Sequence, residues 1–469
     1  MADDSLNAKL EQVYHNNVSN FVELVGVERL SGGASQETYR IIFKSDTGEV
    51  THALRRAPGG AHIEAQVGHP GLETEALLMQ SARDNGVPAP EVYYVLQPED
   101  DLGDGFIMQW LDGEALGARI TRLDKYESLR ENLAYEVGKV LAKVHEIDLD
   151  KTGLRQKLDV VSPEDFVNQM WDRYKLLETP IPMIDYVGRW LMDNIPADYE
   201  LGLVHNDFRC GNFMVTESEI VAVLDWEIAH IGDPMRDLGW ICVNSWRFGS
   251  ELPVGGFGQY EDFFRGYEEV SGKTVDPAAV KFWEVFGSFW WSVSTLFMAE
   301  QGRIGPDMSV ERAGIGRRSS ECQIDCVNLL IPGEVSLVKP SQTTARLDVP
   351  GSDELLSSVM DFLRTDVMSE TKGRTSFLAR VAANSLDIVL REWQMGETGK
   401  QEELSRLQAF FDSADSLIDL RWRLTTALRD GSQSLENELV QHHLRNTVAN
   451  QIAIDQPKYS GFKKAIAKQ

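Results

Sequence analysis

"LVHNDFRCGNFMVTESEIVAVLDWE", residues 203–227, decides how the chain is read. Val204 and Val215 favour strands, while Gly211 and Asn212 interrupt any helical run, so a polar loop sits between β-like stretches. A turn whose Asp and Asn bond only their own backbone would look the same up to this point. The residues after Asn212 separate the two readings. Phe213–Val215 and Ile220–Leu224 are short apolar strands joined by the polar turn TESE. A hairpin brings its ends together, so Asn212, entering the first strand, and Asp225, leaving the second, become neighbours. One carboxylate and one amide oxygen are hard ligands of the kind Mg²⁺ accepts while keeping waters and phosphate oxygens. Asp207, on the loop leading into the hairpin, can face a substrate hydroxyl close to that metal. A turn made only for structure has no need of an acid at the far end of the hairpin.

The surrounding chain sets limits. It has 469 residues, enough for two or three domains, with 42% hydrophobic and 25% charged residues, so it is globular rather than disordered. A formal net charge of −27 repels nucleic acid and anionic lipid, and neither is expected as a partner. "MADDSLNAKLEQ" lacks the basic start and apolar core of a signal peptide. The longest charge-free apolar stretch, 285–299, falls short of the roughly 20 residues that span a bilayer. Four scattered cysteines complete the expectation of a cytoplasmic, reduced protein. Cys322 and Cys326 sit one helical turn apart, which suits two small buried residues better than a metal site.

Residues 332–351 carry three prolines and no helical period, and are expected to be a linker. Beyond it the composition shifts. Residues 352–469 hold 17 acidic and 15 basic side chains, so nearly all the negative charge lies in 1–351. That first part opens with strand-like material: "VGVERLSGGASQETYRIIFKS" predicts strand, glycine turn and strand, and "THALRRA" a third strand. "LETEALLMQSARDNG" has helical spacing and ends at Asn85-Gly86. "EVYYVL" and "GFIMQWL" predict two more strands, and helices dominate from about residue 125. The order is a small β-rich lobe, then a larger helical one.

His-x-Asp-x₄-Asn followed by Asp resembles the catalytic core shared by protein kinases and aminoglycoside phosphotransferases. The resemblance implies an α+β, bilobal protein-kinase-like fold over 1–331, with a β-rich N-lobe at about 20–112 and a mostly helical C-lobe at about 113–331. It implies ATP and Mg²⁺ as cofactors. Asp207 becomes the catalytic base, Asn212 and Asp225 the metal ligands, and His205 a brace for the loop, with Arg209 counted in the catalytic set. "LSGGASQETYR" stands where a nucleotide-covering loop belongs, putting Gly32, Gly33 and Ser35 over the phosphates, though a plain hairpin turn would also contain Gly32-Gly33. Arg55 takes the place of the family's third-strand lysine, keeping charge and changing geometry, and Glu75 is its expected carboxylate partner. A surface ion pair is the plainer reading of those two. "IMQWLDGE" fits the hinge, where backbone groups of Gln109, Trp110 and Leu111 would meet adenine.

"DWE" replaces Asp-Phe-Gly, and only seven residues separate Asp225 from Asp233, which leaves no room for an activation segment. "HIGDPMRDLGW" is similar instead to the small-molecule phosphotransferases, in which the counterpart of Asp237 holds the catalytic loop; Asp233 and Asp237 are therefore read as structural. Within that family, "ALRRAPGG", "FIMQWLDGE", "LAKVHEIDL" and "SVERAGIGRRSSECQID" resemble kinase-like domains associated with acyl-CoA dehydrogenases. That likeness implies a hydroxyl of a hydroxyacyl-CoA, in the breakdown of 4-hydroxy acids, as acceptor. The alternatives are an aminoglycoside or other small alcohol, or a pseudokinase scaffold. Trp171, Trp190, Trp240, Trp246, Trp283, Trp290 and Trp291 fit core better than an acyl slot. Arg312, Arg317 and Arg318 fit a solvated basic face better than a CoA phosphate site.

Residues 352–469 predict a separate all-α bundle, with one apolar helix face from Leu378 to Trp393 and further helices near 402–411, 414–429 and 434–454. The stretch resembles a bacterial domain of uncharacterised function and carries no catalytic pattern. Self-association, or docking onto the kinase-like part, is its expected role.

Overall fold

The computed structural model describes residues 2–30, 36–305, 308–340 and 349–467. Their packing forms two compact units, one from Met1–Pro163 with Ala197–Trp283, the other from Glu164–Pro196 with Glu284–Gln469. The expected nucleotide-loop residues Gly32, Gly33 and Ser35 lie outside the described residues.

In the first unit, β1 (Phe21–Arg29), β2 (Glu37–Ser45), β3 (Gly48–Arg56), β4 (Val92–Val95) and β5 (Gly105–Gln109) form an antiparallel sheet in the order β1-β2-β3-β5-β4. These are the five strands the sequence predicts. β5 stops at Gln109, leaving Trp110 and Leu111 beyond the strand. On β2 the side chains of Tyr39, Ile41 and Phe43 alternate inward. They meet Leu10, Val13 and Tyr14 of a helix, Ala2–Asn17, that the sequence pattern does not announce. The helix Leu72–Asp84 buries Leu78, Met79 and Ala82 in the other core cluster.

Helices Glu127–His145 and Tyr260–Ser271 pack against each other at close range. A Cβ on Gly138 would lie 2.2 Å from Phe263 O, and one on Gly266 2.0 Å from Tyr135 O, so only glycine permits this approach. Two short ribbons carry the opening stretch of sequence: β6 (Gly202–Val204) pairs with β9 (His230–Gly232), and β7 (Phe213–Val215) with β8 (Ile220–Val223). Between them lies the loop 205–212, and the helix Met235–Cys242 comes after β9.

The second unit is helical. Helix Ser319–Leu330 packs on Glu438–Asp455 and Ser460–Ile466. Asn328 Nδ2 donates to Gly461 O at 2.8 Å and Tyr459 Oη to Asp325 Oδ2 at 2.6 Å. The fully buried Asp185 accepts from Arg429 Nε at 2.6 Å and from Trp171 Nε1 at 2.9 Å. Packing thus groups 164–196 and 284–331 with the helices beyond 352, a partition unlike the one composition suggests.

Residues 332–340 have no helix or strand, as their prolines require, yet they are not loose. Asn446 Oδ1 accepts from Ser336 N at 2.6 Å, Asn450 Oδ1 accepts from Val338 N at 2.8 Å, and Asn450 Nδ2 donates to Ser336 O at 2.9 Å. The two asparagines stand four residues apart on one helix face and hold the segment as a strap.

One further helix differs from expectation. Gly373–Phe411 is continuous over 39 residues, where two helices were expected. Gly396 and Gly399 cost about 1 kcal/mol each against alanine, and the good helix formers around them outweigh that cost. Arg317 pairs with Asp455 at 3.0 Å and with Glu392, and Arg318 with Glu321 at 3.1 Å, so these two arginines already have carboxylate partners. Trp171, Trp240, Trp246 and Trp283 are buried, as core residues should be. All four cysteines are buried, and none forms a disulfide among the described residues. No helix among the described residues is long and apolar enough to cross a membrane.

Candidate active site

Asp237 organises the loop from below. It opens the helix Met235–Cys242 and is fully buried. Its Oδ2 accepts from His205 N and its Oδ1 from Asn206 N, both at 2.7 Å, and His145 Nε2 lies 3.1 Å from Oδ2. Burial opposes its charge, but the hydrogen bonds from His145 and His205 hold its carboxyl below the usual range. Asn206 adopts a left-handed φ of 70°, which Asn tolerates, and receives Arg236 Nε at 3.1 Å on its own Oδ1. Asp233 accepts from Trp283 Nε1 at 2.7 Å and from Met235 N at 2.9 Å, a helix-start and anchoring role.

His205 is fully buried at the start of the loop. Burial pushes its imidazole down, against the pull of Asp237, Asp207 and Asp225. Nδ1 accepts from Asp207 N at 3.3 Å and Nε2 faces Leu224 O at 3.0 Å, which assigns the ring proton to Nε2. Its ring lies against Trp226, the residue that stands where a kinase has phenylalanine, at a centroid distance of 4.5 Å.

Asp207 is held from three sides. Oδ1 accepts from Trp240 Nε1 at 2.8 Å and Arg209 Nε at 2.9 Å; Oδ2 accepts from Arg209 Nη2 at 3.2 Å and from Asn212 Nδ2. Arg209 in turn lies over the Trp246 ring at 4.5 Å. Asn212 Nδ2 also donates to Asp207 O at 2.9 Å, which leaves its Oδ1 as the atom of the amide still able to act as a ligand. Leu224 N donates to Asn212 O at 2.7 Å, closing the hairpin just before Asp225.

Asp225 belongs to a second group. It has a left-handed φ of 67°, and its Oδ1 accepts from Arg55 Nη2 at 2.6 Å. Arg55 Nε stands 2.9 Å from Glu75 Oε1, a charge pair whose angle is poor for a hydrogen bond, and Arg55 Nη2 is 3.6 Å from Glu227 Oε2. Three carboxylates therefore surround one guanidinium. They keep Arg55 charged despite its burial, while burial pushes the Glu75 carboxyl up, against the pull of Arg55. The surface-pair reading of Arg55 and Glu75 fails, because Glu75 is only 1% exposed.

No set of three or more His, Cys, Asp or Glu among the described residues forms a metal site by itself. Asn212 and Asp225 offer one amide oxygen and one carboxylate, a donor set that fits a cation completing its shell with water and phosphate oxygens. At the end of β5, Gln109 N donates to Glu91 O at 2.8 Å, so that N–H is already used. Glu114 N donates to Val215 O at 2.8 Å and Val215 N to Glu114 O at 3.0 Å, which ties the segment after β5 to the hairpin of β7 and β8.

Sequence reasoning assigns Trp240 to the core alone and passes over Asn206, Arg236, Glu227 and His145. One signal was available: Asp237 and Trp240, three apart on a helix, share a face, and that face meets the loop.

A five-stranded sheet followed by helices, with this loop between the two short ribbons, is a protein-kinase-like fold. The chain belongs to the phosphotransferase enzyme family, whose model matches residues 26–283; a domain of unknown function (DUF6285) matches 369–459. It is 30% identical over 209 residues to acyl-CoA dehydrogenase family member 10 of Mus musculus, covering 43% of this chain and 19% of that protein. It is 28% identical over 224 residues to acyl-CoA dehydrogenase family member 11 of Gallus gallus, covering 46% of this chain and 27% of that one. The chain thus spans about a fifth to a quarter of the length of these two relatives. Among solved structures, a Ralstonia eutropha protein described as a candidate aminoglycoside phosphotransferase matches with a TM-score of 0.56 at 23% identity, over 69% of this chain and 97% of that one, a likeness of fold.

Proposed function

We propose that the chain transfers the terminal phosphoryl group of ATP to the hydroxyl of a small molecule, with a hydroxyacyl-CoA as the acceptor class. The observation that carries the reading is Asp207, buried on one side by Trp240 and Asn212 on a loop fixed by Asp237. The acceptor oxygen attacks the γ-phosphorus, the bond from that phosphorus to the bridging oxygen of ADP breaks, and the hydroxyl proton passes to a carboxylate oxygen of Asp207. Arg209, the most exposed of the donors around Asp207, is the one that can give way as the acceptor enters. Arg55, steadied by Glu75, faces the phosphates, and adenine takes its hydrogen bonds from the residues after Gln109. Asn212 Oδ1 and Asp225 would hold Mg²⁺, which supplies charge neutralisation at the phosphates.

The partial matches to acyl-CoA dehydrogenase family members favour an acyl-CoA acceptor. The fold neighbour keeps an aminoglycoside acceptor as the second reading. The test is a screen of ATP-dependent phosphoryl transfer across hydroxyacyl-CoAs, free hydroxy acids and aminoglycosides. Turnover of the thioesters at least tenfold above the other two classes is expected. Preference for either of the others replaces the acceptor assignment, and no transfer to any supports the scaffold alternative.

A further inference from the structure

The Asp207 carboxylate is fully engaged as it stands. A carboxylate offers about four lone-pair positions. Here Oδ1 receives Trp240 Nε1 at 2.8 Å and Arg209 Nε at 2.9 Å, and Oδ2 receives Arg209 Nη2 at 3.2 Å and Asn212 Nδ2. Oxygens filled in this way have no place for a hydroxyl proton, so a donor must withdraw before Asp207 can act as a base. The surroundings decide which one. Trp240 is 1% exposed, with the Arg236 guanidinium 4.6 Å from the centre of its ring. Asn212 is fixed both by Asp207 O, at 2.9 Å from its Nδ2, and by Leu224 N, which donates to its backbone oxygen at 2.7 Å. Arg209 is a quarter exposed, and its Nη1 donates to Cys210 O at 3.2 Å.

The seat of Arg209 is shaped to hold it. Its guanidinium lies 4.5 Å from the centre of the Trp246 ring. Gly211, at a φ of 114°, leaves the room it needs, since a Cβ there would lie 2.6 Å from Arg209 Nη1. The pair with Asp207 is bidentate, Nε on one oxygen and Nη2 on the other, which is the strong way for arginine to hold a carboxylate. Withdrawal of this one side chain vacates a lone pair on each oxygen together. Trp240 and Asn212 meanwhile keep the carboxylate in place, so the base is uncovered without any other rearrangement of the loop.

We propose that Arg209 is a specificity-determining residue that discriminates against water as the phosphoryl acceptor, an inference that rests on the phosphotransferase reading and on Asp207 as its base. Water beside a bound nucleotide would hydrolyse it. Its oxygen would attack the γ-phosphorus, the bond from that phosphorus to the bridging oxygen of ADP would break, and one water proton would pass to Asp207. While Arg209 holds the carboxylate, neither oxygen can take that proton. Water has no body with which to displace a bidentate ion pair. An organic alcohol touches the site over its whole surface, and that binding offsets the opening. Release of the base is thereby tied to the arrival of an acceptor larger than water.

The experiment follows phosphate release from ATP by the full chain, with Mg²⁺ in the buffer and no acceptor added, and measures ATP binding by calorimetry on the same preparations. Arg209→Gln should hydrolyse ATP about tenfold faster than the wild type or more, a change of about 1.4 kcal/mol. Arg209→Lys keeps the charge but replaces the fork by one ammonium, so its gain should be smaller, about threefold or more. It also covers the case in which the glutamine variant misfolds. The double variant Asp207→Asn, Arg209→Gln should lose the gain, because the gain runs through the carboxylate. A merely structural role for Arg209 predicts the opposite sign, with a loosened loop hydrolysing more slowly. If ATP binds and neither Arg209 variant exceeds the wild-type rate, the proposal is overturned and the phosphotransferase reading stands. A gain that persists in the double variant also overturns it. Failure of the wild type to bind ATP overturns both.

Discussion

Replacing Asp207 by Asn removes the proposed proton acceptor, and the geometry around it means that the loop is disturbed as well. Four N–H donors converge on the carboxylate, two on each oxygen. An asparagine keeps one acceptor oxygen and turns an NH₂ toward the remaining donors. The better flip leaves oxygen toward Trp240, whose indole is fixed in the core, and puts NH₂ toward Arg209 and Asn212. Arg209, a quarter exposed, can swing to solvent. Asn212 must rotate its amide, which breaks its 2.9 Å bond to Asp207 O and turns its Oδ1 from the metal position. Losing one hydrogen bond and the charge on those that remain costs about 2–3 kcal/mol. For a unit of this size, that loss lowers the melting temperature by roughly 4–10 °C. Phosphoryl transfer should fall by about 10²-fold or more, since general-base catalysis contributes on that scale. Steady-state kinetics and calorimetric melting on the same preparations give both numbers. Near-wild-type turnover would refute Asp207 as base; an unchanged melting temperature with lost turnover would refute the four-donor arrangement.

Arg55→Lys offers one ammonium where the guanidinium reaches Glu75 and Asp225 through different nitrogens, so the apparent KM for ATP should rise about tenfold or more; an unaltered KM removes Arg55 from the nucleotide site. Asp225→Ala takes a full charge from the cation site and frees Arg55, whereas Asn212→Ala removes a neutral ligand, so the first variant should lose more Mg²⁺-dependent activity. Equal turnover with and without EDTA would end the metal-dependent reading. His230 is buried and its imidazole is pushed down to about 4, below the unfolded value of 6.5. Its contribution is complete above pH 6.5 and is lost as pH falls toward 4, at about 1.4 kcal/mol per pH unit. Urea midpoints at about pH 6.5 and about pH 5 should therefore differ less in His230→Gln than in the wild type, by roughly 2 kcal/mol of stability; identical slopes would show that His230 is not buried neutral.

The hairpin of β7 and β8 was legible because its information is local: two apolar strands, a tight turn and polar residues at both ends lie within 23 residues. The five sheet strands were legible for the same reason. What encloses Asp207 was not, because Trp240 arrives from another element, and His145 comes from a helix 92 residues before Asp237. Helix Ala2–Asn17 escaped notice because its buried Leu10, Val13 and Tyr14 are few among polar neighbours. Periodicity split the long helix at its glycines, since pattern alone cannot weigh two weak residues against the cooperativity of the whole. Proline content correctly denied a helix to 332–340 but could not reveal the asparagines that capture it.

That capture changes what a cut in the chain would produce. A break after residue 340 leaves the strap on the N-terminal piece and Asn446 and Asn450, its hydrogen-bonding partners, on the C-terminal one. It also separates Asn328 from Gly461 and Asp325 from Tyr459. The fragments would be two halves of one unit rather than two modules, each carrying the other's missing surface, and they should recombine when mixed as a peptide recombines with its receptor. Activity restored by such mixing would therefore report repair of a divided helical body, whichever role the C-terminal helices play in the intact chain.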